Sequence, residues 1–352
     1  MNINNKNANF TRSQPKQPKL LDQGSFSCVV SPPFYEKPYQ GMSHNDIGKI
    51  YKDKQYNIEE LRHLIIIDKI DPNSNFTTKL KSAFPINGNL IRNNNIAKCL
   101  KKNLSKQQQF YQIVLENGGK NLNNYVDKNN YKIHYSDFLK KILTLIRGMI
   151  ELQKNGLVHQ DIKPPNILMN EKKISLINFG LMKRMEQIYT PNNLDRLNYF
   201  KHFINPPEYA VASIFINNKV NSINAFPLNE VYKRLNANLS KMYFLEDKRL
   251  GNKLRNIYIK GLIKFLNEIY KNNKSFSQIF NKDLAMKADV FSFAYVIYEL
   301  NKHIIYKYDK EKIFVSTLYD ACINTNPYKR ATFIQIYNMV LYEIKRISNP
   351  QV

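Results

Sequence analysis

Residues 157–181 read LVHQDIKPPNILMNEKKISLINFGL. Apolar residues are threaded through this run, yet it sets His159, Asp161, Lys163 and Asn166 within eight positions and Asn178-Phe179-Gly180 twelve residues beyond Asn166. NILMN and ISLINF read as short apolar segments. The stretch immediately before, YSDFLKKILTLIRGMIELQK, is periodic like a helix. Phe138, Ile142, Leu145, Ile146, Met149 and Ile150 recur on one face, and Gly156 is placed to end it.

Toward the N-terminus, residues 1–19 are Asn/Lys/Gln/Pro-rich without an acidic residue, which predicts a disordered basic arm. LLDQGSFSCVV from Leu20 and DIGKIY have strand character. NIEELRHLIIIDKI predicts a helix with Leu61, Leu64, Ile65 and Ile67 on its apolar face, stopped by Asp71-Pro72. FYQIVLE predicts another strand, broken at Gly118-Gly119. The remainder reads as mainly helical. Strands first and helices afterwards predict an α+β chain with segregated lobes and no internal repeat.

The run 157–181 resembles the catalytic loop and metal-binding turn of protein kinases of the Ser/Thr type. Further landmarks fall in the same order. Leu21 to Val29, LDQGSFSCV, looks like the loop over nucleotide phosphates. Lys49 resembles the strand lysine, and Glu60 its helix partner, with Glu59 as the rival. Glu116 and Asn117 look like hinge residues. Pro207-Glu208, Asp289 and Arg330 resemble structural residues of the larger lobe.

The resemblance covers about residues 20–345 and implies a bilobal fold. Its parts would be a β-rich lobe (20–115), a hinge (116–122), a helical lobe (123–346) and a short tail (347–352). It also implies the site. Leu21, Gly24, Val29, Lys49, Glu60, Glu116 and Asn117 would bind ATP. Asp161 and Lys163 would be catalytic, and Asn166 and Asn178 would hold Mg²⁺ or Mn²⁺. The partner would be a protein substrate. The style of GSFSCVVSPPF, IGKIY and IDPNSNF further resembles kinases of large DNA viruses, which implies host cytoplasm or a virion.

Four departures from that pattern stand out. Asn178 replaces an aspartate, an exchange of a full charge for one neutral oxygen. A unit charge about 4 Å away is worth on the order of 4 kcal/mol at an effective dielectric near 20. Losing most of that would slow transfer roughly a thousandfold, so a pseudokinase acting as a nucleotide-binding or regulatory scaffold is the alternative reading. Asp22 and Ser27 occupy two of the three glycine places of the phosphate loop, leaving Gly24. Gln160 replaces the arginine that normally clamps a phosphorylated activation segment. Finally, 80 residues separate Glu208 from Asp289, where a short connection is expected. Within 211–284 lie 13 Lys/Arg against 5 Asp/Glu. NKLRNIYIKGLIKFLNEIYK there predicts a helix, with Leu254, Ile257, Leu262, Phe265, Leu266 and Ile269 on one side. Lys253, Lys260, Lys264 and Lys271 lie opposite, so the helix would dock on the lower lobe or meet an acidic partner.

Composition constrains the rest. The 352 residues carry a net charge of +25, which points to polyanions such as nucleic acid. The 47 asparagines, with abundant Lys, Ile and Tyr, offer A/T-rich coding as an equal explanation. No apolar run approaches the length of a membrane span, and no secretory leader is evident. Cys28, Cys99 and Cys322 therefore read as buried or incidental thiols in a reducing compartment, not as a disulfide framework, and the protein as intracellular.

Overall fold

The computed structural model describes residues 17–24, 26–35, 43, 45–100, 108–127, 131–197, 205–220, 222–239 and 248–349. Most of the expected arm (1–16) and the end of the tail (350–352) lie outside them. The chain divides into two compact units, Met1–Arg62 with Lys79–Asn117, and His63–Thr78 with Gly118–Val352.

The first unit is built on an antiparallel sheet. LLDQGSFSCVV turns at Gly24 into β1 (Lys19–Gln23) and β2 (Ser27–Ser31), and DIGKIY supplies β3 (Ile47–Tyr51). β4 (Leu80–Asn87) and β5 (Gln109–Leu115) complete the order β1-β2-β3-β5-β4. Pro85 sits in the edge strand β4, where a missing N–H costs no ladder bond. Helix α1 (Lys54–Ile70) crosses the division between the units, and α2 (Asn94–Leu100) belongs to the first.

Two sequence expectations fail here. On α1, Leu64 and Ile67 are buried but Ile65 is 45% exposed, because four consecutive apolar residues must wind around the helix rather than share a face. The cysteines fail more sharply. Cys28 on β2 and Cys99 on α2 form a disulfide with Cα atoms 6.1 Å apart. The face of β2 that carries Cys28 and Val30 packs in one core with Ile96, Cys99 and Leu100 of α2. A separation of 71 residues hid that meeting. Cys322 is a buried free thiol, its pKa pushed up by desolvation.

The second unit is mainly helical, so the α+β reading with a β-rich first part holds. It opens with β6 (Lys120–Asn121), α3 (Leu122–Asp127) and β7 (Ile133–His134). Helix α4 (Tyr135–Lys154) buries Phe138, Ile142, Leu145, Ile146 and Met149 and ends at Gly156, whose φ is +71°. Then follow β8 (Leu157–Val158), β9 (Ile167–Met169), β10 (Ile174–Leu176) and β11 (Lys183–Arg184). β9 pairs with β10 and with β6, and β8 with β11.

Helices α5 (Pro191–Leu197), α6 (Pro207–Asn217), α7 (Leu228–Leu239) and α8 (Lys248–Lys271) come next. α9 (Phe276–Ile279), α10 (Lys282–Ala285) and α11 (Ala288–Asn301) precede β12 (Ile304–Ile305), which pairs with β7. α12 (Asp309–Ile323) and α13 (Phe333–Ser348) finish the unit.

The long insertion is part of this unit's core. Leu262, Phe265, Leu266 and Ile269 of α8 are buried with Tyr209, Phe215, Phe280 and Phe291, while Lys260, Lys264 and Lys271 are exposed. The side chains of Lys253, Leu254 and Ile257 lie outside the described residues. At Gly261 an added Cβ would lie 1.7 Å from Thr325 Oγ1, so only glycine lets α8 approach the turn before α13. Among the described residues no helix is long and apolar enough to cross a membrane.

Candidate functional site

The residues of 157–181 are brought together by one hairpin. β9 and β10 pair Ile167 with Leu176, and the Ile177 N–H then donates to the Asn166 carbonyl over 3.0 Å. Register therefore places Asn166 and Asn178 side by side at the hairpin's open end, although twelve residues separate them. Asn178 sits at φ +70°, ψ +61°, a left-handed conformation that asparagine and aspartate adopt more readily than other non-glycine residues.

Asp161 is the centre of the cluster. Its Oδ1 meets Lys163 Nζ at 2.7 Å. Asn166 Nδ2 donates to its Oδ2 at 2.6 Å and to its backbone carbonyl at 2.7 Å. Asn178 Nδ2 donates to the same Oδ2 at 3.2 Å and to Asn166 Oδ1 at 3.2 Å. The carboxylate can only accept, and Asn166 is already donating to it, so the Asn178 NH₂ must face both groups.

The turn carrying Asp161 is held from behind. Asp289, buried on α11, accepts the His159 N–H at 2.6 Å and the Gln160 N–H at 2.9 Å. Burial pushes the Asp289 carboxyl up to about 6, against the two N–H bonds that favour its charge. His159 is fully buried. Its Nδ1 accepts the Asp161 N–H at 3.2 Å, so its proton lies on Nε2, 3.1 Å from the Ile177 carbonyl. It thus stitches the turn to the hairpin.

Farther along, Arg330 and Glu208 form a bidentate ion pair at 2.6 and 2.9 Å, both side chains fully buried. Arg330 also donates to the carbonyls of Asn324 and Lys287, each at 2.9 Å, which engages two more of its five N–H groups.

The first unit holds a second cluster. Lys49 on β3 reaches both oxygens of Glu60 on α1, at 2.7 and 2.8 Å. Glu60, one residue from its rival Glu59, is the one buried on the inner face of the helix. The Gly24 N–H donates to the Ser27 carbonyl at 2.9 Å and closes the β1–β2 turn, while Lys52 Nζ reaches the Gly24 carbonyl at 3.0 Å. Leu21 is 56% exposed on β1, and Val29 is half-buried on β2. At the end of β5 the Glu116 N–H is engaged by the Lys79 carbonyl at 2.9 Å, and its side chain accepts the Lys79 N–H. Asn117 follows as the last residue of the unit.

One residue of the second unit escaped the sequence reading. Asn193 on α5 exchanges two hydrogen bonds with Gln160, and no periodicity or spacing pointed to it.

Comparison with known proteins agrees with this arrangement. Residues 48–215 match the protein kinase domain family. The chain is 35% identical over 85 residues to the "Probable serine/threonine-protein kinase KIN28 homolog" of Encephalitozoon cuniculi, covering 24% of this chain and 28% of that protein. It is 26% identical over 169 residues to the "Calcium/calmodulin-dependent protein kinase type 1" of Caenorhabditis briggsae, covering 47% of this chain and 43% of that protein. The chain spans less than half the length of either curated relative. The matched stretch takes in Lys49, Asp161, Asn166 and Asn178, so the residues gathered around Asp161 fall where this chain is similar to a protein kinase domain.

Proposed function

We propose that this chain is an ATP-dependent serine/threonine protein kinase. The observation that carries the reading is Asp161, a carboxylate held by Lys163 on one oxygen and Asn166 on the other. Its two partners fix its rotamer. In the reaction a protein hydroxyl oxygen attacks the γ-phosphorus, the bond to the β–γ bridging oxygen breaks, and the hydroxyl proton passes to Asp161. ADP leaves with the bridging electrons. Lys163 balances the charge gathering on the transferring group, and Lys49, braced by Glu60, takes the α- and β-phosphates.

A divalent cation suits the donor set only in part. Among the described residues no three His, Cys, Asp or Glu side chains converge. Asn166 and Asn178 can each offer an amide oxygen, beside the Asp161 carboxylate, and a hard cation accepts such oxygens when nucleotide phosphates supply most of the charge. When bound, the ion would neutralise phosphate charge. To ligate it, Asn178 has to turn its amide over, because its NH₂ now faces Asp161 and Asn166.

That same NH₂ favours the second reading, a pseudokinase scaffold. It satisfies the two acceptors a cation would otherwise occupy, so the cluster is complete without metal.

The test is transfer from γ-labelled ATP in Mg²⁺ and in Mn²⁺ by wild type, Asp161→Asn and Asn178→Asp. Label incorporated by wild type and lost in Asp161→Asn supports the kinase reading. Silence of wild type in both metals, with transfer by Asn178→Asp, identifies a scaffold disarmed at one residue. Silence of all three overturns the kinase reading.

A further inference from the structure

We propose that Gln160 and Asn193 form a phosphate-independent clasp that holds the segment after Asn178 against the turn carrying Asp161. The inference rests on the kinase reading for its functional consequence, but its structural part stands alone. Asn193 Nδ2 donates to Gln160 Oε1 at 2.8 Å, and Gln160 Nε2 donates to Asn193 Oδ1 at 3.2 Å. The second hydrogens are used as well. Gln160 Nε2 reaches the Leu181 carbonyl at 2.8 Å, and Asn193 Nδ2 reaches the Ile188 carbonyl at 2.9 Å. Because both main-chain carbonyls only accept, neither amide can be turned over without losing bonds.

Both side chains are 4% exposed, so this is a closed, fully paired network rather than a surface contact. It crosses 33 residues of chain. At one end Gln160 adjoins Asp161, its backbone at φ +65° and its N–H bound to Asp289. At the other, Asn193 anchors the first turn of α5. A shift of the segment 181–193 would therefore be felt one peptide bond from the carboxylate.

The segment offers phosphorylation little purchase. From Asn178 to Glu208 only Tyr189, Thr190 and Tyr199 carry hydroxyls. Tyr189 is buried against Tyr209 and Phe280, with ring centroids 5.7 and 5.2 Å apart. The Thr190 hydroxyl donates to the Gln187 carbonyl at 2.8 Å, and Tyr199 lies outside the described residues. Where the kinase pattern has an arginine awaiting a phosphate, this chain has a neutral amide that already has its partner. Gln160 and Asn193 are thus positioning residues for Asp161.

The test combines a double-mutant cycle with hydrogen exchange on the full chain. Gln160→Ala and Asn193→Ala should each lower kcat roughly tenfold with little change in KM for ATP. The double variant should fall no further than the worse single one. Gln160→Arg with Asn193→Asp, which restores a pair as an ion pair, should recover most of the loss. Phosphatase treatment of wild type should leave kcat unchanged. Amides of residues 181–193 should exchange faster in both single variants, and this readout decides the clasp even if wild type transfers no phosphate. Where an alanine variant melts below the assay temperature, Asn193→Asp, which keeps one acceptor and loses two donors, should show an intermediate loss. Activity abolished by phosphatase, additive losses in the double variant, or unchanged exchange in both single variants would each overturn the proposal.

Discussion

Asn178 donates one amide hydrogen to Asp161 over 3.2 Å, so the residue standing where a kinase aspartate is expected is a hydrogen-bond donor to the proposed base. Restoring the aspartate would set two carboxylates against each other. At about 4 Å and an effective dielectric near 20 their repulsion is about 4 kcal/mol. Water at the half-buried Asn178 screens part of that, leaving on the order of 1–2 kcal/mol. Asn178→Asp should therefore melt a few degrees below wild type in EDTA and regain the loss in millimolar Mg²⁺. Wild type should respond little to Mg²⁺ alone. Equal melting of the two proteins in EDTA would show that the amide contact is immaterial.

Asp289 gives a pH signature. Its folded pKa of about 6 lies above that of an unfolded aspartate, so the native state binds more protons between the two values. The protonated form is the favoured one, and its contribution is fully present below about pH 4 and disappears as pH rises through 6. The difference is on the order of 2–3 kcal/mol at most. Asp289→Asn removes this dependence and leaves one of two backbone N–H groups unpaired, at a cost of about 1–3 kcal/mol. The gap in stability between wild type and variant should be wider at pH 4 than at pH 7. Denaturant melts across that range measure it, and a gap independent of pH would refute the assignment.

The Glu208–Arg330 pair should be costly to break and cheap to replace. Glu208→Leu leaves a guanidinium buried without its anion and should cost about 3–5 kcal/mol. Glu208→Leu with Arg330→Met removes both charges and should destabilise by less than either single change. Urea melts of the four proteins close the cycle, and a double variant worse than both singles would contradict it.

The disulfide predicts a redox-dependent stability. Cross-linking residues 71 apart should stabilise the chain by about 4 kcal/mol in the loop-entropy account. Dithiothreitol should lower the melting temperature of wild type and leave Cys28→Ser with Cys99→Ser unaffected. Alkylation of the unreduced, unfolded chain should label Cys322 alone. Labelling of all three cysteines would mean that the bond does not form.

The cluster around Asp161 was legible because its members lie in one contiguous run whose motif resembles a known family, and one hairpin brings that run together. Lys49 was legible in the same way, through the resemblance of IGKIY to the strand that carries the family's lysine. Helix phase favoured Glu60 over Glu59, since Leu64 and Ile67 follow it at i+4 and i+7, and Glu60 is the one that is buried against Lys49. What stayed hidden depends on distant encounters. Cys28 and Cys99 meet because a helix lies on a sheet. Gln160 finds Asn193 through neutral amides, which leave no trace in charge or periodicity. The outward turn of Ile65 was masked by its apolar neighbours.

The two anchors of the Asp161 turn and of Glu208 come from far downstream. The family match ends at residue 215, yet Asp289 caps the turn bearing Asp161 and Arg330 neutralises Glu208. A piece cut to the matched boundaries would carry two naked peptide N–H groups and a lone interior carboxylate. The smallest autonomous piece of this protein is thus fixed not by where sequence similarity fades but by where these debts are settled, which requires α11 and the segment leading into α13.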